Sequence, residues 1–328
     1  MSCLPNPAVY FPLAKARFTV TPGFHLITQS FGNGAMDARL FQIDAEYDRF
    51  RQNKVAARAE RLAKYVCFSD GFAEVAPAVC RLLMMRLFVE YPAYFDLTME
   101  AGGAGSLLCH LTGERLVFSP AMALLSVEST EPVAPAYTNT FDALIAQVPE
   151  DVAVIALPDT APDASVALHV CAPSHWSPEE KIGASFTQTH APVPGFDKIA
   201  AASAALLETV RTRPPLVRFN WGIEFADRLN LHPEPPPGVN VAEWNRRAPC
   251  LQDPAAVYLR VERQVLWGME TARAAVFAIR VYTRPVSDLS ATERDAVRET
   301  LLSMPEANRL YKGLPLETWA RVVQILRD

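Results

Sequence analysis

This 328-residue chain predicts an α+β fold. Three observations carry the expectation: helical periodicity before residue 100, three strand-like runs between residues 216 and 282, and two helical stretches that close the chain. Half the residues are hydrophobic and a fifth are charged, which gives a globular chain enough apolar material for a full core.

Residues 1–40 are rich in turn formers. Over Asp44 to Tyr65, Tyr47, Phe50, Val55, Leu62 and Tyr65 recur among charges and predict an exposed helix. Ala73 to Tyr91 predicts a second helix, with Pro77 near its start and a wide apolar face of Leu82, Leu83, Met85, Leu87, Phe88 and Val89. Ala101-Gly102-Gly103-Ala104-Gly105-Ser106 lacks the G-K-[ST] ending of a phosphate loop and reads as a turn. Leu116 to Thr130 fits strand or helix. Val152 to Leu157 and Ser165 to Cys171 are strand candidates.

A short helix is expected over 174–183, with Ser177 as N-cap, Pro178 at the first helical position, and Glu179 and Glu180 at the positive end. His190 follows in a loop, Thr189-His190-Ala191-Pro192-Val193-Pro194-Gly195. Asp197 to Arg211 is alanine-rich and helical, ended by Pro214 and Pro215. Strands are then expected over Leu216 to Phe225, Val257 to Leu266 and Ala274 to Tyr282. Trp267-Gly268-Met269-Glu270 makes the last two a hairpin. The long connection carrying Pro233, Pro235, Pro236 and Pro237 is of the kind often used for function. Helices over 290–303 and 316–326 end the chain. No repeat or linker divides it. One compact unit is expected, in which residues 1–110 form a helical portion packed on a core of residues 111–328.

The net charge of −5 and the pI of about 5.8, with no basic run, argue against a nucleic-acid partner. No uncharged apolar run is long enough to span a membrane, and no secretory signal is visible. Six cysteines (Cys3, Cys67, Cys80, Cys109, Cys171 and Cys250) are scattered without a C-x-x-C pair, which speaks against a zinc knuckle or iron–sulfur cluster. Reduced thiols and a cytoplasmic location are the plain expectation.

Alternation along the expected strands divides their residues between two faces. Arg218, Asn220, Gly222 and Glu224 share one face of the first strand, and Val217, Phe219, Trp221, Ile223 and Phe225 the other. On the second strand Tyr258, Arg260, Glu262 and Gln264 oppose Val257, Leu259, Val261, Arg263 and Val265. The polar stripe either meets solvent or lines a pocket, with Gly222 leaving room for a ligand. Among the histidines His190 is the first candidate metal ligand, then His175 and His169. His25, His110 and His232 lack supporting context. No paired H-x-x-x-H spacing favours zinc, whereas haem needs only one axial histidine. The G-x-S-x-G elbow of a serine hydrolase is absent.

Larger blocks of the sequence bear a resemblance. They are Val170-Cys171-Ala172-Pro173-Ser174-His175-Trp176 with Glu180-Lys181-Ile182-Gly183, His190-Ala191-Pro192-Val193-Pro194-Gly195, and Arg218-Phe219-Asn220-Trp221. Leu259-Arg260-Val261-Glu262-Arg263-Gln264, Phe277-Ala278-Ile279-Arg280-Val281-Tyr282 and Tyr311-Lys312-Gly313-Leu314 continue them. Together they resemble the haem-dependent oxidative N-demethylase α-subunit-like family, specifically over about 165–315 and more loosely over 20–100.

The resemblance implies a PAS-like antiparallel core that binds haem b. It also implies an oxygen-using, monooxygenase-type oxidoreductase that demethylates a small amine. Electrons would come from NADPH through separate flavin and iron–sulfur subunits. By position His190 corresponds to the proximal iron ligand, and Asn220 and Trp221 to cofactor surroundings. Arg218 corresponds to a distal donor, with Arg260 as its competitor. Glu262 or Glu224 would accept a proton or hold an ammonium group, and Tyr258 would donate or relay one. The alternative is a haem-binding PAS-like sensor or binding protein without turnover. A sensor normally carries an output module, and the sequence shows none.

Overall fold

The computed structural model describes residues 4–245 and 256–327. Cys3 and Cys250, and the part of the proline-rich connection at 246–255, lie outside the described residues. The first strand, β1 (His25–Leu26), precedes two long helices, α1 (Tyr47–Tyr65) and α2 (Phe72–Glu90), with β2 (Val66–Phe68) between them. Both helices form where expected, but the buried face of α2 is Phe72, Val75, Val79, Cys80, Leu83, Met84 and Leu87; of the expected apolar face, Met85, Phe88 and Val89 are exposed. Pro77 lies in the second turn of α2 rather than the first, because the helix begins at Phe72.

A four-stranded antiparallel sheet follows: β3 (Phe95–Met99), β4 (Gly105–Cys109), β5 (Glu114–Phe118) and β6 (Leu124–Glu128), in that order. The glycine-rich segment at 101–105 is the turn between β3 and β4. The ambiguous stretch after residue 116 is strand. Its alternation of buried and half-buried residues in β5 is the period-2 pattern of a sheet covered on one side.

After α3 (Thr140–Ile145) come β7 (Asp151–Ala156) and β8 (Ala164–His169), then four short helices: α4 (Pro178–Lys181), α5 (Phe186–His190), α6 (Asp197–Ala201) and α7 (Ser203–Thr212). The single helix expected over 197–211 is thus interrupted at Ala202. His190 ends a helical turn instead of standing in a loop. The cause is local: Ser185 accepts from the Gln188 backbone N–H while Gln188 reaches back to the Ser185 N–H, a reciprocal cap that starts α5. Pro192 and Pro194 prevent its continuation.

Strand β9 (Leu216–Glu224) leads to α8 (Val241–Trp244). The hairpin of β10 (Tyr258–Met269) and β11 (Ala274–Pro285) follows, then α9 (Ala291–Leu302), α10 (Glu306–Tyr311) and α11 (Leu316–Ile325). A seven-stranded sheet runs β1-β9-β10-β11-β7-β8-β2, every pairing antiparallel. Residues 1–110 are therefore not only helical. They supply both edge strands of this sheet and half of the smaller one.

The large sheet is covered on both faces. On one, Val217 and Val265 join Leu83 and Leu87 of α2 and Phe41 in the main apolar cluster, while Ile223, Leu259 and Val261 pack with Val297, Leu301 and Val322 of the closing helices. Arg263, an arginine among apolar neighbours, donates to the carbonyls of Asp37 at 2.9 Å and Arg39 at 2.8 Å. On the same face Arg280 is paired with Asp44 at 2.8 Å. A cleft of about 410 Å³ bounded by Arg39, Glu90, Tyr91 and Tyr94 belongs to this side, and His190 does not line it. The opposite face carries the polar stripe, and α4 to α7 lie over it.

No helix among the described residues is long and apolar enough to cross a membrane. Cys67, Cys80, Cys109 and Cys171 are free thiols.

Candidate functional site

The register of the large sheet assembles the site row by row. Arg218 stands opposite Gln264, Asn220 opposite Glu262, Gly222 opposite Arg260, and Glu224 opposite Tyr258. The rows continue onto β11, where Gln264 meets Ile279 and Glu262 meets Val281. Side chains directly opposite one another share a face, so the stripe is a single surface that passes from polar to apolar. It is largely shielded from solvent: Glu224, Arg260, Glu262 and Gln264 are buried, and Arg218, Asn220 and Tyr258 are half-buried.

Two covers close over that surface. At one end α7 seats Val210 and Leu207 on Leu216, Leu266 and Ala275. The approach is close because residue 268 is glycine. A Cβ there would lie 2.1 Å from the Val210 carbonyl oxygen and 2.7 Å from that of Arg211. At the other end the segment 172–176 descends onto the stripe. Ser174 donates to Glu262 Oε1, and His175 Nε2 lies 2.9 Å from Glu224 Oε2. His175 adopts a left-handed backbone with φ of 62°, a conformation costly for a side chain with a Cβ. Between the covers, Ala153, Leu168 and Val170 with Trp176, Ile182 and Phe277 form an apolar wall.

His190 projects from the end of α5 among aromatic rings. Phe186 lies 4.5 Å and Phe196 5.4 Å away between ring centroids. Its Nδ1 is 2.8 Å from the carbonyl oxygen of Phe186, one turn back. A carbonyl only accepts, so Nδ1 carries the hydrogen and the lone pair is on Nε2. Nε2 has no hydrogen-bond partner among the described residues. Burial pushes the imidazole pKa down, and the charges of Arg218 and Lys181 push it further, against the Phe186 carbonyl that raises it. The ring is therefore neutral near pH 7, oriented by a backbone carbonyl, and open at the nitrogen that ligates metal.

The two arginines differ sharply. Arg260 spends its donors on the protein: Nε on Ser174 Oγ at 3.0 Å, Nη1 on the Arg228 carbonyl at 3.2 Å, and Nη2 on those of Ala172 at 2.8 Å and Leu229 at 3.0 Å. It ties two loops to the sheet. Arg218 makes no hydrogen bond or ion pair among the described residues, and its Nε is sealed from solvent without a partner. A buried donor without an acceptor is costly. A ligand beside Arg218 would supply one.

Glu262 is a junction. It accepts from Ser174, from Asn220 Nδ2 at 3.3 Å and from Gln264 Nε2 at 2.8 Å. Asn220 is thereby oriented within the stripe. Tyr258 ends the stripe opposite Glu224 with no side-chain hydrogen bond among the described residues. Trp221, paired in the sequence reading with Asn220, is on the reverse face among Ile223, Leu259 and the closing helices, so the sheet separates the two.

Lys312 stands at the edge of β9 beside Trp221. It follows α10, donates one N–H to the Trp221 carbonyl at 2.5 Å, and stands 5.0 Å from the indole centroid. The sequence block Tyr311-Lys312-Gly313-Leu314 was its one available signal. Within α10, Asn308 donates to the Pro194 carbonyl at 2.8 Å, which fastens the segment after His190. His169 is fully buried, with Nε2 3.3 Å from Asp142 Oδ1, and does not reach the stripe.

No group of three or more His, Cys, Asp or Glu side chains able to hold a metal ion occurs among the described residues. A macrocycle that brings its own four nitrogens needs only one axial protein ligand. One neutral histidine with a free Nε2, an apolar wall and an arginine lacking an acceptor are donors that fit haem. Over residues 33–324 the chain matches the family described as haem-dependent oxidative N-demethylase, alpha subunit-like.

Proposed function

The chain belongs to that family, and from this premise we propose that it is the haem-holding catalytic subunit of an oxidative N-demethylase acting on a small amine. The observation that carries the reading is the state of His190: Nδ1–H fixed on the Phe186 carbonyl, and Nε2 without a hydrogen-bond partner among the described residues, beside the rings of Phe186 and Phe196. We read the five central strands of the large sheet, β9-β10-β11-β7-β8, with the overlying short helices as a PAS-like core, carried by residues 111–328. We assign haem b as the cofactor and His190 as the residue that would hold its iron. The family's description as an alpha subunit implies other subunits, and our reading gives them the task of delivering electrons from NADPH through flavin and iron–sulfur groups.

Haem supplies, when bound, a redox-active iron at which dioxygen is used to oxidise the N-methyl group. The chain's own residues do the rest. The Phe186 carbonyl keeps His190 in one tautomer and orientation. Arg218 offers a preorganised positive charge where negative charge develops, in a place from which water is largely excluded. The apolar wall of Ala153, Leu168, Ile182 and Phe277 keeps that site dry. Asn220 and Gln264 orient the Glu262 carboxylate, and Glu262 or Glu224 attracts the ammonium form of an amine. Gly222 leaves the backbone of the stripe open, since a Cβ there would meet only Glu224 Oε1 at 3.6 Å. Arg260 serves as the structural tie between loops, which leaves Arg218 as the stronger donor candidate.

The test is spectroscopic. Purified protein given haem is expected to develop a Soret band, and His190→Ala to lose it or shift it to that of a weakly held haem, while His175→Ala keeps it. Oxygen uptake that depends on both a reductant and a methylated amine then establishes turnover. A Soret band that survives His190→Ala unchanged refutes the assignment.

A further inference from the structure

One histidine joins the end of the polar stripe to the outside. His175 sets Nε2 at 3.1 and 2.9 Å from the two oxygens of Glu224, and among the described residues it is the one hydrogen-bond partner of that carboxylate. Its Nδ1 has no partner among the described residues. The imidazole keeps 17% of its side-chain surface accessible, against 10% for Glu224. The carboxylate in turn leans inward. Its Oε1 lies 3.6 Å from the place a Cβ would take on Gly222, so it reaches over the residue of the stripe that has no side chain. The pair therefore touches solvent at its histidine and the open middle of the stripe at its carboxylate.

The backbone is held to make this contact. At φ of 62° His175 keeps a conformation that a residue with a Cβ leaves unless its surroundings enforce it. The enforcement is visible. His175 N–H donates to the Leu231 carbonyl at 3.1 Å, and Leu231 N–H donates to that of Pro173 at 3.1 Å. Arg260 grips the Ser174 hydroxyl and the Ala172 carbonyl from the sheet. The charged groups around the pair are bonded elsewhere. Arg260 is spent on those contacts, Arg228 donates to the Trp244 carbonyl and lies over its ring, and Lys312 donates to the Trp221 carbonyl. Glu262 is occupied by Ser174, Asn220 and Gln264. Tyr258 stands opposite Glu224 across the ladder. Glu224 acts on Arg228, Arg260 and Lys312 through its charge alone.

We propose that His175 and Glu224 are the proton inlet of the site. The inference rests on the proposed N-demethylation for what consumes the protons, and it deepens that reading: Glu224 carries protons, which leaves Glu262 to meet the amine. Removing an N-methyl group with dioxygen oxidises the methyl carbon and breaks the O–O bond. One oxygen atom leaves in formaldehyde and the other in water. The sum balances with two electrons, from the separate reductant already proposed, and two protons. A stripe largely shielded from solvent needs a defined route for those protons. A proton taken from water at Nδ1 lets Nε2 pass its own to Glu224, and the carboxyl then presents it above Gly222. Each pass moves one proton from water to the carboxylate.

The test has two arms. The first uses apoprotein labelled with 15N-histidine and measures exchange of ring N–H hydrogens with water by saturation transfer. The His175 signal is identified by its loss in His175→Gln, and the fully buried His169 is the internal reference. The ring N–H of His175 should exchange at least about a hundredfold faster than that of His169, because a sealed N–H reaches water only when the fold opens. The second arm uses haem-loaded protein with a reductant, oxygen and a methylated amine. His175→Gln keeps an N–H donor for Glu224 but cannot carry a proton from one ring nitrogen to the other. It should lower kcat about tenfold and release more hydrogen peroxide per oxygen consumed, while KM and the Soret titration stay within about twofold. Phosphate added at constant ionic strength should restore kcat in His175→Gln by bringing protons to Glu224, and should not restore it in Glu224→Gln.

Exchange at His175 as slow as at His169 overturns the proposal, whatever the loaded protein does. So does a kcat in His175→Gln equal to that of wild type, or a loss that phosphate leaves unrestored, which would mark His175 as structural. If wild type develops no Soret band or turns over no amine, the haem reading fails by itself, and the exchange arm alone decides whether the pair admits protons.

Discussion

Gly268→Ala perturbs one atom between α7 and β10 and tests how rigidly the cover of the site is held. The added Cβ would sit 2.1 Å from the Val210 carbonyl oxygen, 2.7 Å from the Arg211 carbonyl oxygen and 2.8 Å from Arg211 Cα. All three are backbone atoms and cannot rotate away. Restoring a contact of about 3.2 Å requires the end of α7 to lift by roughly 1 Å, which loosens Val210 and Leu207 from Leu216, Leu266 and Ala275. Overpacking of this kind costs about 1–3 kcal/mol. With an unfolding entropy of about 2.1 cal/mol/K per residue, the whole chain loses about 2–4 °C in melting temperature. Leu216 lies two residues from Arg218 on the same face, so the same displacement widens the site and should weaken haem binding about tenfold. Differential scanning calorimetry and Soret titration measure the two effects. An unchanged melting temperature together with unchanged haem affinity would refute the view that α7 is a fixed cover.

Gly222→Ala is the complementary change. With nothing nearer than Glu224 Oε1 at 3.6 Å, it should leave the melting temperature within about 1 °C while lowering affinity for whatever ligand approaches the stripe, measured by amine titration of the haem spectrum. Arg260→Met and Arg218→Met should separate structural from functional roles. The first removes the partner of the Ala172, Arg228 and Leu229 carbonyls and should cost about 3–5 kcal/mol in urea unfolding. The second should be close to neutral for apoprotein stability but accelerate loss of dioxygen in stopped flow. Ser185→Ala breaks the cap of α5 at about 1 kcal/mol and should weaken haem retention through looser orientation of His190.

The buried His169 and Glu150 predict an unusual pH profile. Burial pushes His169 down to about 4, so its contribution is lost as pH falls from its ordinary value of about 6.5 towards 4. Burial pushes Glu150 up to about 7, so its contribution runs the other way and is lost as pH rises from about 4.5 to 7. These two contributions nearly cancel between pH 5 and 7. His169→Gln removes one of them and should become more stable at pH 5 than at pH 7, by roughly 2 kcal/mol relative to the wild-type change. Parallel profiles for the two proteins would show that His169 is not the buried neutral group described.

Much of the site was legible because strands alternate. The period of two in 216–224 and 258–264 put Arg218, Asn220, Gly222 and Glu224 on one face with Arg260, Glu262 and Gln264, and the register confirms that grouping. His190 stood out beside two prolines and an alanine-rich stretch, although the cap that makes it the end of a helix was overlooked in Ser185 and Gln188. The strands of the first 110 residues were harder to see. β1 and β2 are only two and three residues long, too short to establish a period, and exist because a longer neighbouring strand offers them a ladder. The resemblance places Trp221 in the surroundings of the cofactor. Alternation had already placed it on the other face.

From the sequence by itself came the α+β class, the two faces of the late strands, the candidate histidine and the resemblance on which the functional proposal rests. The tertiary structure decided what lies over each face, because a repeating pattern fixes the side on which a residue projects and not what packs against it. It also decided that Arg260 is consumed by the carbonyls of Ala172, Arg228 and Leu229, while Arg218 has no acceptor among the described residues. Those partners are distant in the chain, and no local signal announces them. Lys312 is the clearest case. It reaches the Trp221 carbonyl only because the turn after α10 folds back onto the edge of β9.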